Sequence, residues 1–299
     1  MKEIITMNKI LLALPLALLT ANTYASDARS YSILPKNFNL AELTYSSVQT
    51  EKELLNSAKV DHDSKSINFR YVRTFAVGDT LGAAYVILPY FQNDVIASIG
   101  PMKMREKHSS VGDAKFFIGM GTYNMPALSM EEFAKLDKNG TRSACSALFT
   151  VPTGSYSEAN LFNVGNNTYS VKGECVVSYT QNNFMAEFIT GVTKYTSDWN
   201  NARNKKRTQD DMYQTEIHLT YTINPKLWAG VDYYNQYGGE QSVNYISSKD
   251  KLNNNMIGLV GSYNIGPGRY VKANYIKTYN APRYAAKSDF LILSLQQLF

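Results

Sequence analysis

Apolar and polar residues alternate with a period of two along most of this chain, each run keeping its phase for about ten residues. The stretch from Met212 to Ile223 shows it best. Tyr213, Thr215, Ile217, Leu219, Tyr221 and Ile223 fall on one face, and Gln214, Glu216, His218, Thr220 and Thr222 on the other. Comparable runs are Phe184 to Tyr195, Leu227 to Tyr237, Asn254 to Ile265 and Tyr270 to Tyr279. Weaker ones are Asn39 to Gln49, Ser66 to Ala76, Leu81 to Phe91, Ala114 to Tyr123, Thr141 to Val151 and Thr168 to Thr180. With the last stretch, Ser288 to Phe299, they predict about twelve strands. Each has the length a tilted strand needs to cross a bilayer. A soluble sandwich strand has the same pattern, so alternation by itself does not decide between the two.

The connections do. Short links at Val77 to Thr80, Gln181 to Asn183, Asn224 to Lys226 and Gly266 to Arg269 carry Gly, Pro and Asn, which reach turn conformations easily. Long polar links at Glu51 to Lys65, Gln92 to Gly112, Pro152 to Asn167, Ser197 to Asp211 and Gly238 to Asn253 alternate with them. Brief periplasmic turns and extended external loops are the asymmetry of an outer-membrane barrel. Asn124 to Gly140 breaks the rule by being long on the short side. There Ser129 and Glu132 have capping-box spacing, and Met130, Phe133, Ala134 and Leu136 suit one face of a short helix within about residues 127–137, either a rim helix or a plug element.

Both ends of the chain agree. Lys2 and Lys9 precede an apolar run from Ile10 to Leu19, and Thr23-Tyr24-Ala25 closes it. This reads as a secretory leader over residues 1–25, cut after Ala25, with Met1 or Met7 as its start. The apolar run is too short to span hydrocarbon as a helix. The barrel then occupies residues 26–299, and Ser26 to Lys36 form a free terminus able to reach into the lumen. At the other end Leu291, Leu293, Leu295 and Phe299 share one parity. A terminal aromatic on such a strand is the address read by the barrel assembly machinery, so Phe299 is the expected insertion signal. The predicted fold is therefore all-β: a transmembrane antiparallel up-and-down β-barrel in the bacterial outer membrane, with lipid as its surroundings.

Composition adds little that conflicts. Tyr, at 22, outnumbers Phe, at 13, which suits interfacial aromatic girdles. The net charge of +5 is small, and its one dense cluster (Arg203, Lys205, Lys206 and Arg207) is followed by Asp210 and Asp211. A solvated loop accounts for it, and no nucleic-acid partner is expected. Two cysteines, Cys145 and Cys175, occur in an exported chain. They flank the Pro152 to Asn167 loop at similar distances, so neighbouring antiparallel strands bring them opposite one another as a disulfide. No metal and no cofactor is expected.

One loop carries a resemblance. Val151 to Ser170 reads V-P-T-G-S-Y-S-E-A-N-L-F-N-V-G-N-N-T-Y-S. Pro152, Thr153, Gly154, Tyr156, Asn163, Gly165, Asn167 and Tyr169 match the signature of the outer-membrane transporter family called "putative MetA-pathway of phenol degradation". Gly112-Asp113 with Gly119, the Leu81-Gly82-Ala83 to Pro89 stretch and the terminal Phe299 also fit. The chain departs from that family at Gln297, two before the final aromatic, and at Thr208-Gln209-Asp210-Asp211, where a Ser-Gly-Asp segment is expected. The resemblance implies a channel for uptake of small aromatic or other hydrophobic compounds through the lumen.

If Ile217 and Leu219 face lipid, then Glu187, Glu216, His218, Asp232, Lys272 and Asn274 face the bore, where charge sets selectivity. The plainer reading is that they pair and fill the interior. A barrel hydrolase and a structural or adhesive barrel are the alternatives. The first would need a base such as His218, or His62 between Asp61 and Asp63, and no G-x-S-x-G pattern is present. The second rests on Asn-rich loops. The chain is expected not to be an enzyme.

Overall fold

A computed structural model of the chain describes residues 26–54, 58–157, 162–198 and 206–299. The expected leader, residues 1–25, lies outside them. Among the described residues no helix is long and apolar enough to cross a membrane. Strands do so instead.

The wall is built from β1 (Asn39–Glu53), β2 (Lys59–Val77), β3 (Thr80–Ile99), β4 (Met102–Val111), β5 (Ala114–Tyr123), β6 (Gly140–Val151), β7 (Ser170–Gln181) and β8 (Phe184–Tyr195). It continues through β10 (Met212–Asn224), β11 (Leu227–Gly238), β14 (Leu252–Gly266), β15 (Arg269–Asn280) and β16 (Lys287–Leu298). Every pairing is antiparallel. β1 pairs with both β2 and β16, so the sheet closes on itself. β4 and β5 both pair with β3, one above the other, and act as a single wall strand interrupted at Gly112-Asp113. Counted so, the barrel has about twelve strands. Closure leaves each spanning backbone group a partner inside the protein, as hydrocarbon requires.

Side chains alternate across this wall. On β10, Tyr213, Ile217, Leu219 and Tyr221 are exposed while Gln214, Glu216, His218 and Thr220 are buried. The outward set is apolar on every side of the barrel, from Phe69 and Leu88 through Ile118, Val177 and Phe188 to Leu259 and Leu293. An exposed apolar band of this extent is a lipid-facing surface. Exposed aromatics mark its two borders: Tyr123, Tyr179, Tyr221, Tyr263 and Phe299 near the short turns, and Tyr90, Tyr169, Tyr213, Tyr237 and Tyr279 near the other rim.

Beyond the outer rim the pattern inverts, and there the sequence reading needs correction. The described residues of Glu51 to Lys65 lie mostly in strands, and Gln92 to Gly112 is not a loop. β1 and β2 run on into the first, and the second is a hairpin of β3 and β4 turning at Gly100-Pro101. In this extension Val60, Val95 and Ala97 point inward with Phe162, while Lys59, Asp61, Asp63, Lys103, Arg105 and Lys107 are exposed. The outward face of β2 changes from charged to apolar between Lys65 and Ile67, which sets the outer membrane boundary. Two other expected loops also hold strands. β9 (Arg207–Gln209), β12 (Gln241–Val243) and β13 (Ile246–Ser247) form a small external sheet.

At the inner rim a short helix, α1 (Met130–Ala134), interrupts the long link. Its capping box is complete: Ser129 N donates to Glu132 Oε2 at 2.7 Å, and Glu132 N to Ser129 Oγ at 3.3 Å. Phe133 and Leu136 pack on Ile33, Leu81 and Met125. Met130 points to solvent instead of joining that face.

Candidate functional site: the bore and its inner segment

Ser26 to Lys36 lie inside the barrel, where the strands have brought buried polar side chains together. Antiparallel register places His218 beside Glu187 of β8 and Asp232 of β11. Nδ1 of His218 lies 2.8 Å from Asp232 Oδ1, and Nε2 lies 3.2 Å from Glu216 Oε2. Tyr234 OH donates to Asp232 Oδ2 at 3.1 Å, and Asn274 Nδ2 reaches the same oxygen at 3.4 Å. All are buried. Five of the six residues singled out by parity thus meet in one place or next to it, and Lys272 faces them through the segment.

That segment binds the wall through successive residues. Ser26 N donates to Glu216 Oε1 at 3.0 Å, and Ser26 Oγ to Glu174 Oε1 at 2.6 Å. Lys272 Nζ donates to the Ala28 carbonyl at 3.0 Å and sits 3.5 Å from Asp27 Oδ2. Arg29 N donates to Glu187 Oε2 at 2.7 Å, while its guanidinium reaches Thr220 at 2.9 Å and Thr222 at 3.1 Å. Its Cζ stands 4.6 Å from the Trp228 ring centroid. Tyr31 OH donates to Glu174 Oε1 at 2.5 Å and lies 2.7 Å from Ser146 Oγ. Burial, with the Glu174 carboxylate beside it, pushes the Tyr31 phenol well above its ordinary value, so it stays a donor. Below, Lys36 N bonds the Leu128 carbonyl at 2.8 Å and Thr74 Oγ1 the Pro35 carbonyl at 2.6 Å.

The segment does not fill the bore. A cavity of about 440 Å³ remains between it and the wall, lined by Tyr85, Phe117, Trp228, Phe290 and Ile292 with Tyr31 on the segment side. Tyr85 and Phe117 stack with centroids 4.1 Å apart. Arg70, paired with Glu42 at 2.6 Å, carries its Cζ 5.4 Å from the Tyr85 ring centroid. Sequence parity alone had not picked out Glu42, Arg70, Lys172 or Glu174, because their strands alternate less cleanly.

The described parts of the Pro152 to Asn167 element, residues 152–157 and 162–167, form a clasp at the outer rim. Asp113, at the break between β4 and β5, accepts from Gly154 N at 2.9 Å and Asn166 N at 2.8 Å. Burial pushes the Asp113 carboxyl up, and these two N–H donors oppose that shift. Gly154 and Gly165 touch backbone to backbone. A Cβ on Gly165 would lie 2.7 Å from the Gly154 carbonyl carbon and oxygen, and no side-chain movement relieves that. Asn163 Oδ1 accepts from Ser157 N at 2.8 Å, and its Nδ2 donates to Ser157 O at 3.0 Å. Asn167 donates to Asp198 at 2.9 Å, and Tyr156 OH reaches the same carboxylate at 3.5 Å. Arg207, 3.5 Å from Asp198, also bonds the Asn166 carbonyl. Pro152 leads out of β6 into the clasp.

Comparison with known proteins decides the family. The family described as "Putative MetA-pathway of phenol degradation" matches residues 47–293. The chain belongs to this family. The COG4313 outer membrane channel from Pseudomonas putida F1 has a TM-score of 0.78 at 15% identity, over 92% of this chain and 100% of that one. The transport unit of the autotransporter AIDA-I from Escherichia coli has a TM-score of 0.58 at 7% identity, over 97% and 96%. The beta domain of the Bordetella autotransporter BrkA has 0.55 at 8%, over 88% and 100%. No curated protein sequence matches the chain. At such identities these structures share a fold, the closed outer-membrane barrel.

Three further points follow for this family member. Cys145 and Cys175 are directly opposed on β6 and β7 and are joined as a disulfide. Phe299 extends the closing ladder, exchanging hydrogen bonds with Asn39 at 2.8 and 3.0 Å. His62 is buried and bonds Asn93 at 3.1 Å, whereas Asp61 and Asp63 point to the opposite face. His62 is therefore not set between two carboxylates that could orient it as a base. No group of three or more His, Cys, Asp or Glu side chains placed to hold a metal ion occurs among the described residues.

Proposed function

We propose that the protein is a passive outer-membrane channel for small hydrophobic or aromatic compounds, with the Ser26 to Lys36 segment as its inner gate. One observation carries the reading: an aromatic-lined cavity of about 440 Å³ survives beside a segment that otherwise occupies the bore. Its size lies in the range of small-molecule sites, and apolar walls with a few convergent polar groups are what such sites share. Arg70, Glu42 and Lys272 are among the polar groups of its lining. The likeness to a channel from Pseudomonas putida supports the same reading.

A hydrolase is disfavoured by the geometry of His218. Both of its ring nitrogens face carboxylates, Asp232 and Glu216, so neither is turned toward a hydroxyl nucleophile. An adhesive barrel gives no reason for an internal cavity.

Planar-bilayer recording of refolded protein tests the proposal. Discrete conductance steps that small phenols or alkylbenzenes partly block, and that sugars of equal size leave unchanged, are the expected result. A silent barrel, or equal response to both solute classes, refutes it.

A further inference from the structure

Ser26 stands where the leader is expected to end, and its backbone nitrogen is seated among buried acids. It lies 3.0 Å from Glu216 Oε1, with Glu216 fully buried. Gln214 Nε2 donates to that same oxygen at 2.6 Å, and the buried side-chain oxygen of Gln214 has no hydrogen-bond partner among the described residues. A peptide nitrogen brings one N–H to this place. A free amino terminus brings three, and a positive charge.

The charges around the segment call for such a cation. The wall presents Glu174, Glu187, Glu216 and Asp232 against Lys172, Lys272 and His218. The segment adds Asp27 and Arg29, which offset one another. Lys172 is engaged by Glu174, with Glu216 Oε1 at the 4.0 Å limit of its reach. Lys272 is shared with Asp27 and the Ala28 carbonyl. Beyond the neutral amide of Gln214 and the more distant Lys172, the charge on Glu216 is met by His218 and by whatever Ser26 supplies. A carboxylate taken out of water is strongly destabilising unless paired.

We propose that Glu216, Glu174 and Gln214 form a binding site for a primary ammonium, the α-amino group that cleavage after Ala25 exposes on Ser26. The inner segment then seats only in the processed chain, because an uncut chain brings a neutral amide and an apolar leader to a pocket of carboxylates. This holds whatever solute uses the channel.

The test is made on protein purified from outer membranes. Its amino-terminal peptide is identified by mass spectrometry, and the labelling rate of its α-amine by an amine-reactive reagent is followed at neutral pH. The expected peptide begins at Ser26, with labelling at least about tenfold slower than in Glu216→Gln. A second variant inserts Gly-Gly between Ala25 and Ser26, leaves every wall residue intact and displaces the amine. It should label as fast as Glu216→Gln. Heat-modifiable gel mobility confirms folding, and if Glu216→Gln does not fold the Gly-Gly variant decides alone. A mature terminus elsewhere than Ser26, or equal labelling of wild type and the Gly-Gly variant, overturns the proposal. Loss of channel activity with the amine still protected would overturn the transport reading instead.

Discussion

Replacing Tyr31 by Phe removes one oxygen from the inner segment and keeps the ring that lines the cavity. In the wild type that hydroxyl donates to the buried Glu174 carboxylate at 2.5 Å and lies 2.7 Å from Ser146. A hydrogen bond to a charged group contributes about 1.5–3 kcal/mol. Glu174 keeps Lys172 and Ser26 as partners, so the lower half of that range is the better guide. At 1.4 kcal/mol per factor of ten, the seated state should weaken about 10- to 40-fold relative to the unseated one. The wall is untouched, because its ladders do not use Tyr31. Single-channel recording reads the equilibrium directly as the ratio of closed to open dwell time. Tyr275→Phe, on the lipid-facing side, serves as a control that should leave the ratio unchanged. An unaltered ratio in a folded Tyr31→Phe barrel would refute the assignment of this segment as a gate.

The facing assignment predicts that Leu219→Arg impairs insertion by roughly 2–4 kcal/mol, the cost of a cation on the lipid face near the bilayer centre, read from folding titrations in vesicles. Glu216→Gln should assemble normally and change conductance, so equal tolerance at the two positions would contradict the parity reading. Asp113→Asn turns an NH2 toward one of the two N–H donors of the clasp, and the unpaired group should cost about 1–3 kcal/mol. Faster proteolysis between residues 152 and 169, with the barrel intact, is the expected signature. Reducing Cys145–Cys175, which are 30 residues apart, should lower unfolding stability by no more than roughly 3.5 kcal/mol and leave the fold unchanged.

Strand number and facing were legible in the sequence because lipid imposes a single rule, apolar outward and polar inward, and Met212 to Ile223 obeys it almost without exception. The same rule hid β4 and the outer half of β3. Above the membrane the barrel is surrounded by water, so Lys103, Arg105 and Lys107 are outward and Val95 and Ala97 inward. Read by the membrane code, a strand of that kind passes for a polar loop. β9, β12 and β13 are too short for any period to register. The luminal cluster was half visible: parity gave His218 and its neighbours, but Glu174 and Lys172 lie on a strand whose outward face includes Gly173 and Cys175. Their partner, the segment from Ser26, has no periodicity, and only its position ahead of the first strand pointed into the lumen.

The luminal charges also bear on what the interior is for. A buried ion-pair network is weak evidence for stability, since well-packed apolar residues of similar volume often do as well or better. A twelve-stranded barrel made only to be solid could be filled that way. Here Glu187, Glu216, His218 and Asp232 are held on strands and turned toward a segment that joins the wall covalently at Asn39 and otherwise by side-chain and backbone hydrogen bonds. With the segment seated these groups are paired except at Glu187 Oε1, which has no partner among the described residues, and water can satisfy all of them if the segment leaves, whereas an apolar wall would oppose entry of that water. A polar lining under a removable cover therefore lowers the free-energy difference between closed and open states, which a channel needs and a solid barrel does not. If so, replacing Glu187 by Leu should weaken both states: the Arg29 amide loses its acceptor at 2.7 Å in the closed form, and the open bore hydrates less readily. Conductance steps in Glu187→Leu should become smaller, and steps of unchanged or larger size would contradict this account of the lumen.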